Sequence, residues 1–332
     1  MRSVFLAVES PEQYNSIQGR GDLSPFDRES LRRHSPDAHW LMLDSRGRAR
    51  GRCSLWWSHV PLYPRHRLGV IGHFAVDSRE TASALLSHAC RQLADRGCTL
   101  AVGPMDGSTW RSYRFVTQRG SAPPFFLEPN HPPEWPEHFT QFGFTPLAQY
   151  ISNLNHDLNQ EDRRGRECET RFHEMGVHIR LIDLERFEDE LRSIYAIAAR
   201  SFTHSFLSTP ISEREFVECH LPLKPYIRPE LVMFAERENR AVGFVFTIPD
   251  WLQAERRVEI DTVIIKTLAV LPGRAYAGLG SRLVCRNQTM ARELGYRHAI
   301  HALMHTANCS GAISRRYGNT MRRYTLFARV LR

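Results

Sequence analysis

Lysine is nearly missing from this chain of 332 residues: only Lys224 and Lys266 occur, against 42 arginines. The skew carries no function by itself, but it singles out a lysine lodged in an apolar run. Paired cysteines are lacking too. Cys53, Cys90, Cys98, Cys168, Cys219, Cys285 and Cys309 are scattered, odd in number and never spaced C-x-x-C. That argues against a disulfide framework or a structural zinc site and for the reduced thiols of a cytoplasmic protein. No stretch approaches the roughly 18 apolar residues of a membrane span. Glu9 ends the apolar start before it reaches signal-peptide length. Low complexity is also absent. With 42% hydrophobic and 24% charged residues, the composition is that of a folded globular chain and excludes disordered and collagen-like classes.

What is present is a length suited to two domains and an uneven charge. The net charge is +8. Residues 251–332 hold 14 basic and 4 acidic side chains, whereas residues 1–250 are close to neutral. The cationic surplus is therefore a local feature, of the kind that serves an anionic ligand.

Alternating and helical patterns give the element order. A hairpin is predicted from Trp40–Asp44 and Gly51–Trp57, then a strand over Leu68–Val76. A helix follows over Thr81–Arg96, closed by Gly97, and then a strand over Thr99–Val102. Residues 103–144 read as loop, rich in proline. The second half repeats this plan. Val177–Ile182 is a strand, Glu185–Ser201 a helix, and Leu231–Glu236, Ala241–Thr247 and Thr262–Val270 are strands. Ser281–Leu294 is a helix closed by Gly295, His298–His305 a strand, Ser310–Tyr317 a short helix and Arg323–Val330 a last strand. Ile71–Val76 overlays Ile265–Val270, and the copies differ by about five residues just after this strand. There the second copy carries a Pro/Gly-rich loop and the first does not.

That loop, Leu271-Pro-Gly-Arg-Ala-Tyr-Ala-Gly-Leu-Gly280-Ser, joins a strand to a helix. Glycines at such a junction let backbone N–H groups converge on an anion. In Ala269, Val270, Pro272, Gly278 and Gly280 the sequence resembles the GNAT superfamily of N-acyltransferases in its tandem form. Ala275 and Tyr276 depart from the family's Arg-Gly-x-Gly-x-Gly pattern, with Arg274 one place earlier as a substitute cation. The resemblance implies an α/β fold of two GNAT-like domains, each a splayed, mixed, mostly antiparallel sheet flanked by helices. Residues 1–159 would form a degenerate copy without the phosphate loop, 160–175 a linker, and 176–332 the copy that keeps the acyl-donor loop. It also implies direct transfer from an acyl-CoA donor to an amine of a small molecule. Donor contacts would come from Leu268, Ala269, Val270, Arg274, Ala275, Tyr276, Ala277, Gly278, Leu279, Gly280, Ser281 and Asn308.

Direct transfer needs a base for the amine, donors for the oxyanion and an acid for the leaving group. The family's usual glutamate slot on the fourth strand is Ile264, leaving Glu259 and Asp261 nearby. His301 and His305 share one strand face, and histidine titrates near neutrality. A metal is not expected, since the pair lacks a third ligand. Lys266, in an apolar strand, reads as an anchor for a carboxylate or phosphate, as a base, or as a snorkelling side chain. Tyr317 is a phenol for the leaving group. Asp106, Trp110, Arg111 and Tyr113, on a polar-aromatic loop of the first half, are candidates for the acceptor pocket. Two other readings stand beside acyl-CoA transfer. In one, an aminoacyl-tRNA or carrier-protein pantetheine is the donor, with Arg322, Arg323, Arg329 and Arg332 as a basic edge. In the other, the chain is a non-catalytic binding module.

Overall fold

The structure, a computed structural model, describes residues 4–16, 23, 26–27, 29–159 and 163–332. Among the described residues thirteen strands form one sheet. They are β1 (Val4–Ala7), β2 (Ala38–Leu43), β3 (Ala49–Trp56), β4 (Leu68–Val76), β5 (Leu100–Gly103), β6 (Phe115–Gln118), β7 (Thr145–Asn155), β8 (Val177–Leu181), β9 (Val232–Arg237), β10 (Arg240–Pro249), β11 (Thr262–Val270), β12 (His298–His305) and β13 (Asn319–Val330). Their spatial order is β1-β2-β3-β4-β5-β13-β7-β12-β11-β10-β9-β8, with β6 paired to β13. Only β4–β5 and β11–β12 are parallel.

The two halves exchange their last strands. β13 lies beside β5 of the first half, and β7 lies beside β12 of the second. The two exchanged strands pair with each other along most of their length. Gly318 lets the chain enter this seam, because a Cβ there would sit 2.2 Å from the Leu154 carbonyl oxygen. The sequence order is thus two copies, while the hydrogen-bonded sheet is continuous through both.

Helices cover the faces for local reasons. Arg79–Asp95 starts at Ser78, whose Oγ accepts from Thr81 N at 3.2 Å, and buries Ala82, Leu85, Leu86, Ala89 and Leu93 on β3 and β4. Gly97, at φ +78°, ends it. In the second half Phe187–Ser201 and Leu279–Glu293 cover opposite faces of β9–β11. Among the described residues no helix is long and apolar enough to cross a membrane.

Some predicted elements are revised. The loop-rich stretch 103–144 contains β6 and the helix Trp135–Gln141. The segment read as a linker carries a helix, Arg163–Glu174, packed on Leu279–Glu293, while residues 160–162 lie outside the described residues. The short helix after β12 is Cys309–Ser314. The helix Glu213–His220 has no counterpart in the sequence reading.

Candidate active site

β11 and β12 pair only from Thr262↔His298 to Ile265↔His301, yet β11 runs on to Val270. Beyond Ile265 the strands part. By the alternation of strand hydrogen bonds, part of the main chain of 266–270 turns its polar groups into this opening. A cavity of about 750 Å³ fills it, within the range of ligand sites.

The walls come from both halves. One side is β11 (Lys266, Thr267, Leu268), another β12 with the turn after it (His301, Leu303, His305, Asn308). The first half supplies 109–114, 127–130 and Tyr150. The remaining wall is largely apolar, with Leu191, Ile194, Phe202, Phe206, Phe216 and Leu223. Trp110 Nε1 donates to Thr209 O at 2.8 Å, and the Trp110 ring meets Phe216 edge-on at 5.7 Å. Arg111 donates to Glu215 Oε1 at 2.5 Å. These contacts hold the first-half loop against the helix Glu213–His220.

His220 is the titratable group that the sequence reading missed. Its Nδ1 lies 2.7 Å from Phe216 O, a carbonyl that can only accept, so the proton sits on Nδ1. Nε2 keeps its lone pair and makes no bond among the described residues. Burial lowers the pKa of His220, the charge of Lys266 acts in the same direction and the Phe216 carbonyl opposes. The ring is therefore neutral near pH 7. His305 is fixed the opposite way. Its Nδ1 accepts from Ala307 N at 3.1 Å, which leaves the neutral ring's proton on Nε2. It stacks edge-on with Tyr150 at 5.0 Å.

Lys266 donates to Leu127 O at 2.9 Å. Burial pushes its pKa down to about 7, helped by Arg114 and opposed by Glu128. Arg114 lies over the Tyr113 and Tyr150 rings at 3.9 and 4.2 Å, and its Nη1 donates to Leu303 O at 3.2 Å. Behind them lies a buried network. Glu128 pairs with Arg322 Nε at 2.8 Å and accepts from Tyr324 OH at 2.6 Å. Tyr324 OH also meets Ser152 Oγ at 3.0 Å, and Ser152 Oγ accepts from Leu303 N at 3.0 Å.

Of the residues expected from sequence, Lys266, Leu268, His301, His305, Asn308, Trp110, Arg111 and Tyr113 meet in this cavity. His301 lies at its floor. The ring is 3.5 Å from Gln288 Oε1, and burial pushes its pKa down to about 4. Tyr317 does not line the cavity; it is buried with its ring 5.5 Å from that of His301. Asp106 does not line it either. It accepts from the backbone N of His73 at 2.6 Å inside the first half, where burial raises its pKa to about 6. Ile264 is core, Glu259 pairs with Arg297 on the surface, and Asp261 precedes β11 at the end away from the opening.

The glycine loop lies beyond the end of the cavity marked by Ser310 and Ile313. Arg274, Ala275 and Tyr276 form a 3-10 turn, and Gly278, at φ +92°, opens the helix Leu279–Glu293. Leu279 is core and Ala269 is buried. Gly280 faces Leu268 and Ile313. The Val270 carbonyl accepts from Ser201 Oγ at 2.9 Å. Arg171 donates to the Ala277 carbonyl, and Arg316 to Ser281 Oγ at 2.8 Å. Cations thus border the loop. Arg322 is no surface phosphate ligand: it is 3% exposed and donates to the carbonyls of Arg119, Ala122 and Pro123. Arg329 likewise donates to Phe142 O at 2.7 Å. Internal bonds hold these two members of the expected basic edge.

The chain matches no family model. It is 24% identical over 183 residues to the bacterial ceramide synthase of Caulobacter vibrioides (strain NA1000 / CB15N), covering 54% of this chain and 48% of that protein. The chain spans about half the length of the curated relatives it matches. Among solved structures, a tandem GNAT protein from the clavulanic acid biosynthesis pathway superposes with a TM-score of 0.51 at 11% identity, covering 100% of this chain and 99% of that one. A probable N-acyltransferase of unknown function from Enterococcus faecalis V583 gives 0.54 at 11% identity, covering 100% and 73%. The fold is that of the GCN5-related N-acetyltransferases in tandem arrangement.

Proposed function

We propose that this chain is an N-acyltransferase that moves an acyl group from acyl-CoA directly to an amine at the opening between β11 and β12. The observation that carries the reading is the cavity itself. It runs from residues 266–268 of β11, which β12 no longer pairs, toward the glycine loop on one side and to a wall bearing a neutral histidine with an available lone pair on the other. The pantetheine would lie along Leu268 and Asn308, and the phosphates at 274–281 with Arg171 and Arg316 beside them. His220 takes the proton from the ammonium or the attacking amine at Nε2, its Nδ1–H held by Phe216. The amine nitrogen bonds to the thioester carbon, the C–S bond breaks, and the thiolate leaves as CoA thiol once protonated. His305, with its proton on Nε2, is a hydrogen-bond donor to the departing thiolate, which takes its proton from solvent while His220 gives up the one it accepted.

The apolar wall supports a long chain on the acyl group, the amine or both, since each buried methylene is worth about 0.8 kcal/mol. The name of the curated relative, a ceramide synthase, is consistent with that chemistry. Ala275 and Tyr276, which depart from the GNAT loop pattern, favour a carrier-protein or aminoacyl-tRNA donor as the second reading.

The test is donor-dependent. Purified chain is incubated with hexadecanoyl-CoA and a panel of amines, with thiol release and amide mass as readouts. Turnover together with a rise in Tm on adding CoA supports the reading. Absence of both at millimolar CoA refutes it. Turnover only with acylated carrier protein or charged tRNA selects the second reading, and salt-sensitive tRNA binding would accompany the latter. A binding module would give ligand-dependent stabilisation and no turnover with any donor.

A further inference from the structure

Cations crowd the acceptor end of the cavity, and they are not equally matched. Arg111 is paired with Glu215, and Arg322 with Glu128. Glu128 is in addition held by Tyr324. The more distant Glu128 that acts on Lys266 is already paired with Arg322, and among the described residues Arg114 and Lys266 make no ion pair at contact distance. Each spends one bond on a main-chain carbonyl, Leu303 O and Leu127 O respectively. Arg114 is 8% exposed, and its Nε is buried without a hydrogen-bond partner. The two charges face the same space and repel each other. A buried, unpaired guanidinium beside an ammonium is costly, and a native structure keeps such a pair where an anion completes it. The flat guanidinium, clamped on two tyrosine rings, is preorganised for two parallel bonds to an oxyanion.

We infer that the amine acceptor carries an anionic group, a carboxylate or a phosphate, which docks between Arg114 and Lys266 while the amine faces His220. The inference rests on the N-acyltransferase reading and narrows its acceptor to amphiphilic amino acids or amino phosphates. Binding such a group neutralises the excess charge and returns Lys266 to its ammonium form, which its burial otherwise disfavours. Where Lys266 is neutral it takes one proton from solvent as the anion docks; the anion is otherwise a spectator, and the amine, thioester and His220 exchange bonds as above.

The experiment compares acceptors matched except for charge, with hexadecanoyl-CoA as donor. One pair is 2-aminohexadecanoate and its methyl ester, and the other 2-aminohexadecyl phosphate and 2-aminohexadecanol. The charged member of at least one pair should show about tenfold or more higher kcat/KM, and the better pair identifies the anion. Arg114→Gln should bring that ratio close to one. In parallel, hexadecanoate and hexadecyl phosphate are compared with hexadecanol for their effect on Tm, a binding readout that needs no turnover. The anions should stabilise the unmodified chain, and Lys266→Met should abolish the difference, which covers the case in which Arg114→Gln fails to fold. Equal turnover of charged and neutral acceptors, with Arg114→Gln slowing both alike, overturns the inference and leaves the transferase intact. Loss of all turnover and of CoA stabilisation overturns the transferase reading instead, and the Tm comparison then decides the anion site by itself. A Tm effect no larger for the anions than for hexadecanol refutes that site.

Discussion

His220 is the residue whose replacement most directly tests the chemistry. The reaction needs a neutral base beside the amine, and this ring meets the condition through two local contacts. Phe216 O fixes the Nδ1 proton at 2.7 Å, and the Phe216 ring stacks on the imidazole at 4.1 Å. Burial, assisted by the Lys266 charge, holds its pKa below the ordinary value of 6.5. The active form is the unprotonated one. The rate should therefore be flat near neutrality and fall about tenfold per pH unit below a midpoint that lies under 6.5. A positioned general base contributes about 10²–10⁴-fold. His220→Ala should lose that factor in kcat and lose the acid limb with it. His220→Gln preserves volume and a hydrogen bond to Phe216 O, so its defect should match in kcat and be smaller in KM. Lys266→Met removes a repelling charge, and its acid limb should move up toward 6.5. The assay is initial thiol release from about pH 5 to 8.5, with folded fraction checked at each pH. His220→Ala within about tenfold of the parent, below the usual floor for general-base catalysis, would refute the assignment. So would a variant that retains the parent's acid limb.

The remaining predictions concern the scaffold. Arg322→Met leaves the Glu128 carboxylate buried at 3% side-chain exposure without its cation and should cost about 3–5 kcal/mol. The urea midpoint at unchanged m measures this, and adding Glu128→Gln should restore part of it. A loss below about 1 kcal/mol would mean that the pair is not buried as described. His34, His39 and His73, linked through Ser54, have folded pKa values of about 3, 3 and 2, held down first by burial. A histidine with a depressed pKa takes up protons on unfolding, so its contribution is present above pH 6.5 and is lost as pH falls toward 3. Each can contribute a slope of up to about 1.4 kcal/mol per pH unit in that window. Asp106, raised to about 6, acts the other way and is lost as pH rises. Denaturant midpoints should therefore drop from pH 6.5 to 4.5, and a flat profile would contradict this. Gly72→Ala would place a Cβ 2.1 Å from Met105 O and should cost about 1–3 kcal/mol, read from the urea midpoint.

Where the sequence was legible, burial and periodicity agreed. Leu68–Val76, Thr262–Val270 and His298–His305 are long apolar runs with few polar interruptions, and their predicted bounds match the strands observed. β7 escaped notice for the opposite reason. It begins at Thr145-Pro146 and carries Ser152, Asn153 and Asn155 at buried positions. Those residues look like a loop in one dimension. In space they bond to Tyr324, Ser314 and Gln288, partners 133 to 172 residues away. The strand exchange follows from those long-range bonds, and no local pattern encodes it. The site was legible in its strands and in Trp110, Arg111 and Tyr113 of one loop, and not in Arg114 or His220. Lys266 stood out because lysine is so rare. His220 ends a helix, Glu-Arg-Glu-Phe-Val-Glu-Cys-His, with few apolar residues to mark it, and the packing of Phe216 and Trp110 brings it to the cavity. Arg114 sits at φ +73° in an irregular turn, where periodicity says nothing.

The two copies treat corresponding openings in their sheets differently. Both parallel pairs part in the same way: β4 leaves β5 after Val70, as β11 leaves β12 after Ile265. In the first copy the chain closes its own opening. Met105 N donates to Ile71 O at 2.9 Å, Asp106 accepts from His73 N, and Gly72 leaves room for the Met105 carbonyl. The main-chain groups that a pantetheine would use are thus satisfied internally. The segment that fills the first opening continues directly into 109–114, and those residues form a wall of the second. The segment that fills the first opening and the wall of the second are therefore one continuous stretch of chain. The exchanged strands make it rigid. Tyr150 on β7 clamps Arg114, and Tyr324 on β13 holds Glu128, so each copy's last strand supports the same end of the cavity.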